Sequence, residues 1–232
     1  MKLGLLSDIH GNSLALRAVL TSAEQLGVEA LCVAGDIVGY YYHPDEVLDL
    51  LDHWKTCRIQ GNHERMLALV MAIPALLPEL ELRYGRGLRC AIEGLQPEQQ
   101  QALCTLPQQL SIELGGRKIL LAHGTPWDAD CYIYPDAGEE FWRSFEAYGA
   151  DLIVLGHTHY SMQRQTGQTL VVNPGSVGQP RDGRPGAAWA LYDTDSGKCE
   201  HYVESYDIDA VLAEVMQYDP HNPYLRDILR RQ

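Results

Sequence analysis

Five short apolar runs of this sequence each end where Asp, Asn or His follows at once. The segments are LGLLSDIH, LCVAGD, RIQGNHE, KILLAHG and LIVLGHTH, and four of them carry a glycine beside the polar residue. Short apolar runs bounded by turn-forming residues predict buried strands. Ligand sites of α/β proteins lie at the carboxyl ends of their strands. We therefore expect the five polar positions to form one rim of the fold.

The order of the predicted elements indicates an α/β fold with parallel strands in its first part. Strands are predicted at 2–6, 30–34 and 56–60, and helices between them at 13–26 and 44–53. Further helices are predicted at 97–106, 208–216 and 224–231. Paired strands predominate later, because 111–114 and 118–122 flank Gly115 and Gly116, a pair that suits a hairpin turn. The remaining strands are predicted at 151–155, 162–165, 169–172, 188–192 and 199–203.

Length and composition limit the class of protein. A chain of 232 residues suits one α/β domain, so we expect a single domain over 1–232. The formal net charge of -13 disfavours a broad nucleic-acid-binding surface. No run is long enough to cross a membrane, and the start does not resemble a signal peptide, so we expect a cytoplasmic protein without a membrane partner. Six cysteines without a C-x-x-C pair favour reduced thiols over disulfides.

The polar residues at the strand ends are the types that bind borderline and hard divalent metals. Carboxylate, carboxamide and imidazole groups without a thiolate suit Mn, Fe or Zn. They exceed what one ion usually takes, so the sequence predicts two ions. The candidate ligands are Asp8, His10, Asp36, Asn62, His123, His157 and His159.

Each candidate also has a structural explanation when it is considered alone. Asp8 could cap the helix that begins near Ser13, and Asn62 could cap the next one. Asp36 could be a turn residue after glycine. A joint coincidence at five strand ends is much harder to accept than a common metal site. Of the remaining histidines we expect surface or packing roles for His53, His201 and His221, whereas His43 could reach the cleft.

The ordered set DIH, GD, GNHE, HG and GHTH resembles the calcineurin-like metallophosphoesterase superfamily and extends from Asp8 to His159. Further likeness in GDIVGY and NPGSVGQPRDG points to its small prokaryotic branch of single-domain phosphodiesterases and phosphatases. The resemblance implies a four-layer αββα sandwich, in which two mixed β-sheets are flanked by helices.

The resemblance also implies a role for each candidate residue. One ion would be held by Asp8, His10, Asp36 and His159, and the other by Asp36, Asn62, His123 and His157, so that Asp36 bridges them. Mn is the expected metal, with Fe, Zn or Ni as alternatives. His63 and Asp36 would be catalytic, and Asn62, His63 and His10 would lie against the substrate.

The expected function is hydrolysis of a small phosphate ester, with phosphodiesters preferred. A hydroxide that bridges the two ions would attack, and His63 would assist the leaving group. The alternatives are a non-catalytic protein-interaction module on the same fold and a nuclease. Oligomeric state cannot be read from the sequence.

Several positions depart from the family pattern or have open roles. Gly39 stands where many relatives carry a second Asp, so Glu64 is only a candidate to orient His63. Tyr40, Tyr41 and Tyr42 are candidates to shape the substrate pocket. The candidate contacts of the substrate phosphate are Arg65, Arg181 and Arg184.

Overall fold

Two mixed five-stranded sheets form the centre of the protein, for which a computed structural model describes residues 1–230. The first sheet has the order β10-β9-β1-β2-β3 and the second the order β4-β5-β6-β8-β7. The strands are β1 (Lys2–Leu6), β2 (Ala30–Val33), β3 (Thr56–Arg58), β4 (Gln109–Leu114), β5 (Arg117–Ala122), β6 (Leu152–Val154), β7 (Met162–Thr166), β8 (Thr169–Asn173), β9 (Ala187–Asp193) and β10 (Lys198–Glu204).

The strand directions agree with the sequence prediction. β1, β2 and β3 are parallel, with Leu5 paired to Cys32 and Cys32 to Cys57. β5, β6 and β8 are parallel in the second sheet. Antiparallel pairs close each sheet, including the β4–β5 hairpin that turns at Gly115 and Gly116. The parallel strands of both sheets therefore present their carboxyl ends at a shared edge of the sandwich.

Helices cover both outer faces. They are α1 (Ser13–Gln25), α2 (Pro44–Asp52), α3 (Asn62–Ala72), α4 (Leu77–Tyr84), α5 (Gly87–Gly94), α6 (Pro97–Cys104), α7 (Glu139–Arg143), α8 (Ile208–Tyr218) and α9 (Pro223–Asp227), with short 3₁₀ turns at Pro74–Leu76, Ser144–Tyr148 and Ile228–Arg230. The sequence did not predict α7. The predicted helix 224–231 is a short α-helix followed by a 3₁₀ turn, and its last residue lies outside the described part.

The first helix illustrates how local sequence sets these elements. Its N-cap is Asn12, whose side chain accepts a hydrogen bond from the N–H of Ala15 at 3.1 Å. Leu16, Val19 and Leu20 recur at helical spacing and are buried against the first sheet. Asp8 therefore does not cap this helix, and its carboxylate is available for another role.

The core has three apolar layers, as an αββα sandwich requires. Side chains of both sheets meet in the middle layer, among them Leu5, Leu121 and Val154. The outer layers join the first sheet to α1 and α2, and the second sheet to α7. The αββα prediction is confirmed. No helix within residues 1–230 combines the length and apolarity that a bilayer crossing requires.

Candidate metal centre

The carboxyl ends of five strands bring the predicted ligands together. Asp8 follows β1, Asp36 follows β2, Asn62 begins α3 just after β3, His123 follows β5, and His157 follows β6. Both carboxylates and all four predicted histidine ligands are buried, and Asn62 is partly buried. His10 and His159 enter from the turns that follow β1 and β6. All seven predicted ligands thus share one site between the two sheets.

Asp36 lies at the middle of this site. Its Oδ1 accepts the backbone N–H of His63 at 2.8 Å. Its Oδ2 lies 3.7 Å from Nε2 of His10 and 3.3 Å from Nε2 of His123. One oxygen is thus anchored to the protein and the other faces imidazoles on both sides, which is the position that a bridging carboxylate needs.

Asp8 is arranged in the same way. Its Oδ2 accepts hydrogen bonds from Ser7 Oγ at 2.5 Å and from the N–H of His157 at 3.1 Å. Its Oδ1 also accepts the N–H of His157, at 3.2 Å, and lies 3.3 Å from Nε2 of His159 and 3.9 Å from Nε2 of His10. The bonds from Ser7 and His157 fix the carboxylate, and Oδ1 completes a cluster with the two imidazoles.

Backbone carbonyls fix the orientation of three imidazoles. Nδ1 of His10 lies 3.2 Å from the Val38 carbonyl oxygen, Nδ1 of His123 lies 2.7 Å from that of Ala34, and Nδ1 of His159 lies 2.6 Å from that of Gln179. A carbonyl oxygen only accepts, so each Nδ1 carries a proton, and Nε2 presents a lone pair whenever the ring is neutral. This second layer of bonds is typical of metal-binding histidines.

Asn62 completes the side of the site that contains His123 and His157. Its Oδ1 lies 3.0 Å from Nε2 of His123 and 2.8 Å from Nδ1 of His157. The N-cap of α3 is Gly61, so Asn62 does not cap that helix. Among residues 1–230, two groups of Asp and His side chains are close enough to share an ion: Asp8, His10, Asp36 and His159 in one, and Asp36, His123 and His157 in the other. These are the two predicted sets, with Asp36 common to both and Asn62 beside the second.

The backbone at these positions is strained. The six described non-glycine residues with positive φ are Asp8 (52°), His10 (54°), Asp36 (53°), Tyr40 (52°), His157 (68°) and His159 (56°). Such a conformation costs on the order of 1 kcal/mol or more at each residue. Five of the six are predicted ligands, so the strain is concentrated where the chain turns to aim side chains into the site. Tyr40 is the sixth.

Glu64 holds the turn that carries Asp36. Its buried carboxylate accepts backbone N–H bonds from Asp36 at 2.9 Å, Ile37 at 2.8 Å, Val38 at 3.0 Å and Gly61 at 2.7 Å. A Cβ at Gly61 would lie 2.2 Å from Oδ1 of Asp36, so only glycine allows the two turns to approach this closely. The suggestion that Glu64 orients His63 is wrong, because its carboxylate is fully engaged with this backbone.

His63 is held by packing and not by a carboxylate. Its ring lies against Tyr40 at 4.7 Å, His10 at 4.7 Å and Tyr84 at 5.3 Å between centroids. Nδ1 is buried without a hydrogen-bond partner. A Cβ at Gly39 would lie only 2.0 Å from this Nδ1. The ring thus fills the space that a side chain at position 39 would occupy.

The electrostatics of the metal-free site are dominated by burial. Burial lowers the pKa of His63 and of His157 to about 4, and it lowers the pKa of His10 and His159 well below the usual value. Burial alone would lower the pKa of His123 too, but the Asp36 and Asp8 carboxylates outweigh it and raise that pKa to about 9. Without metal, His123 is therefore the protonated histidine of the cluster.

Of the other predicted candidates, only some lie at the centre. Arg181 lies beside the centre, because its backbone N–H bonds to the carbonyl of His159 at 3.0 Å and its Nη2 bonds at 3.1 Å to the hydroxyl of Tyr40, whose ring packs on that of His10. Arg65 and Arg184 form ion pairs with Asp130 and Asp182. His43 does not reach the cleft, since its Nε2 lies 2.6 Å from Oε1 of Glu214.

Two of the three consecutive tyrosines do not shape a pocket. Tyr41 and Tyr42 pack with α8 and α9, where their hydroxyls donate to the Leu225 carbonyl at 3.3 Å and to Asp219 at 2.8 Å. Sequence reasoning missed Tyr132, which is 53% exposed and whose ring centroid lies 4.0 Å from that of His157. The aromatic run CYIY after the HG motif is the only signal that could have indicated it.

The chain matches the model of a known family. The model of the calcineurin-like phosphoesterase superfamily domain matches residues 1–197. The chain belongs to this superfamily. It is 28% identical to an uncharacterised protein of Methanocaldococcus jannaschii, over 93% of this chain and 92% of that protein. It is 25% identical to the phosphodiesterase YfcE of Escherichia coli, over 84% of this chain and 89% of YfcE.

Solved structures share the fold over nearly the whole chain. A metallophosphoesterase of Sphaerobacter thermophilus superposes with a TM-score of 0.82 at 26% identity, covering 100% of this chain and 98% of that one. A hypothetical protein of Pyrococcus horikoshii gives a TM-score of 0.87 at 24% identity, covering 99% and 98%. At this identity, the likeness to the Pyrococcus horikoshii protein shows a shared fold alone.

The residues present fit the divalent ions that the family uses. The Nε2 atoms of His10, His123 and His159 and the carboxylates of Asp8 and Asp36 face one buried space, and Oδ1 of Asn62 joins them. Without an ion, Nε2 of His10 and Nε2 of His159 lie 3.1 Å apart, so two lone pairs of neutral imidazoles face each other. Cations would satisfy these electron pairs together.

Proposed function

We propose that this protein is a metal-dependent phosphoesterase that hydrolyses small phosphate esters, with a preference for phosphodiesters. The observation that carries the proposal is the shared Asp36, whose Oδ2 faces His10 on one side and His123 on the other. Two ligand sets joined by a bridging carboxylate are typical of two-metal hydrolases.

Two ions would be held by the sets described above, and Mn is the proposed metal, with Fe, Zn or Ni as alternatives for this ligand chemistry. When bound, such ions supply Lewis acidity that makes water a nucleophile at neutral pH and draws charge from the phosphoryl oxygens. The chain contributes the rigidity of the site, since backbone carbonyls orient the imidazoles of His10, His123 and His159 and backbone N–H groups anchor the carboxylates of Asp8 and Asp36.

His63 is proposed to act on the leaving oxygen. Burial lowers its pKa to about 4, so the ring is neutral at pH 7 and carries one proton. Nδ1 faces Gly39 and has no acceptor. A proton on Nε2 would donate a hydrogen bond to the departing oxygen, whereas a proton on Nδ1 would be buried without an acceptor. The unpartnered Nδ1 thus favours the useful tautomer.

The preference for phosphodiesters is supported by the similarity to YfcE, whose name describes a phosphodiesterase. The non-catalytic alternative is disfavoured because each predicted ligand is present and converges on the site. The proposal includes a cytoplasmic location, which agrees with the six free cysteines.

The test is hydrolysis of bis-p-nitrophenyl phosphate beside p-nitrophenyl phosphate by metal-stripped protein titrated with Mn²⁺. We expect turnover that depends on Mn²⁺, is faster on the diester, and is lost in Asp36→Asn. No turnover on either ester by protein that holds two ions would refute the proposal and favour an interaction module. Equal rates without metal would refute the role of the ions.

A further inference from the structure

We infer that Arg181 and Tyr40 form an oxyanion subsite beside the metal centre, in which the Arg181 guanidinium binds a non-bridging oxygen of the substrate phosphoryl group and Tyr40 positions it. This inference rests on the proposed function, because it assigns the substrate phosphate to a particular side of that centre.

The first support is the partner set of Arg181. Its Nη2 donates to the hydroxyl of Tyr40 at 3.1 Å and to Oε1 of Gln179 at 3.0 Å, which are both neutral acceptors. Its Nε is buried and has no hydrogen-bond partner. Among the ion pairs of residues 1–230 none involves Arg181, whereas Arg184 three residues later is paired with Asp182. No carboxylate is in ion-pair contact with this guanidinium, so its free donor can bind an anionic oxygen.

The second support is the location. The backbone N–H of Arg181 bonds to the carbonyl of His159, which is a predicted ligand. The ring of Tyr40, which accepts from Arg181, lies 4.6 Å from that of His10 and 4.7 Å from that of His63. The backbone of Arg181 is thus tied to a predicted ligand, and its guanidinium is tied through Tyr40 to the rings of His10 and His63.

The third support is the backbone of Tyr40. It has a φ of 52°, a conformation that among the described non-glycine residues it shares only with five predicted ligands. Strain of this kind persists where the surrounding structure selects it, and it is concentrated at functional sites. All three tyrosines belong to one buried cluster, but Tyr41 and Tyr42 are not among the residues with positive φ. The positive φ at position 40 therefore places the phenol of Tyr40 against the rings of His10 and His63.

A guanidinium suits this role for a chemical reason. Its planar fork matches the oxygens of a phosphoryl group and remains charged at all relevant pH values. The hydroxyl of Tyr40 and the amide of Gln179 hold Nη2 and so fix the plane of the fork before substrate arrives. Tyr40 is a positioning residue in this scheme, because it acts through Arg181.

The experiment measures binding and needs no turnover. Inorganic phosphate is titrated calorimetrically into protein loaded with Mn²⁺, and the Mn content of each variant is determined first. We expect Arg181→Met to weaken phosphate binding by roughly 10- to 100-fold, the range for a hydrogen bond to a charged group. Tyr40→Phe, which keeps the ring, should weaken it by roughly 3- to 10-fold. Arg184→Met, the matched control in the same loop, should stay within about twofold.

Wild-type phosphate affinity in Arg181→Met with unchanged Mn content would overturn the inference. If that variant loses its ions, Arg181→Lys replaces it, since lysine keeps the charge but lacks the planar fork. Arg181→Lys must then bind phosphate several-fold more weakly, and wild-type affinity would again overturn the inference. A failure of the proposed function is distinguishable, because it would show as wild-type protein that binds phosphate yet hydrolyses no ester.

Discussion

Replacing Glu64 by Gln tests the support that holds Asp36 in place. The Glu64 carboxylate accepts four backbone N–H groups, two on each oxygen: those of Ile37 and Val38 on Oε1, and those of Asp36 and Gly61 on Oε2. Glutamine keeps one acceptor oxygen and replaces the other by an NH₂ group that only donates. Two buried N–H donors therefore lose their acceptor in Glu64→Gln.

The expected magnitude follows from that count. Each buried donor left without an acceptor costs about 1–3 kcal/mol, so the free energy of unfolding should fall by about 2–6 kcal/mol. For a chain of this length such a loss lowers the melting temperature by on the order of 10 °C. Since the same bonds aim Asp36, the affinity for Mn²⁺ should also fall, by roughly 10- to 100-fold, as for other residues that support metal ligands.

Thermal unfolding of the metal-free protein, followed by circular dichroism, measures the first effect, and calorimetric titration with Mn²⁺ measures the second. Glu24→Gln is the matched control, because Glu24 is exposed on α1 and should change stability by less than about 0.5 kcal/mol. A Glu64→Gln protein that is as stable as Glu24→Gln and binds Mn²⁺ like wild type would refute the reasoning.

Three further predictions follow from the site. His63→Ala should retain both ions yet lower kcat by roughly 10² to 10⁴ on an alkyl phosphate ester, and by less on a p-nitrophenyl ester, because a poor leaving group depends most on a hydrogen-bond donor. Gly39→Ala should lower kcat towards the His63→Ala value at normal Mn content, since φ is +95° and the new Cβ would displace the His63 ring. Mn²⁺ binding near pH 7 should release protons and strengthen as the pH rises. The reason is that Asp8, whose pKa burial raises, and His123, whose pKa is about 9, must both be deprotonated to bind. Calorimetry in buffers of different ionisation enthalpy measures that release.

A specific experimental result would contradict each of these predictions. Unchanged turnover of the alkyl ester in His63→Ala would remove His63 from the mechanism. Gly39→Ala is compared with Gly94→Ala, whose new Cβ would meet no atom within 4 Å, and equal activity of the two would disprove the packing argument. Binding heats that do not vary with the buffer would show that no proton leaves the site.

Much of the fold and of the predicted ligand set could be read from the sequence because both depend on local signals. An apolar run, a glycine and a ligand residue such as Asp36 are adjacent in the chain, and parallel strands bring such strand ends together. The strand boundaries at 2–6 and the hairpin at Gly115 were predicted for the same reason. Turn chemistry and alternation need no knowledge of distant contacts.

The supporting residues could not be assigned in this way, because their partners are distant in sequence. Glu64 bonds to an N–H 28 residues away, although its place three residues after Gly61 is a capping-box signal that could have suggested a backbone role. Tyr41 and Tyr42 join a core formed with helices near the C-terminus. Nothing local distinguishes them from Tyr40, whose positive φ appears only in the structure.

The number of ions bound by single-residue variants tests the central claim most directly. Native mass spectrometry of Mn-loaded protein should find two ions in wild type, one in Asp8→Asn, one in His157→Ala, and none in Asp36→Asn, because Asp36 belongs to both groups. One ion in the wild-type chain, or two ions retained by Asp36→Asn, would contradict the bridged two-metal centre.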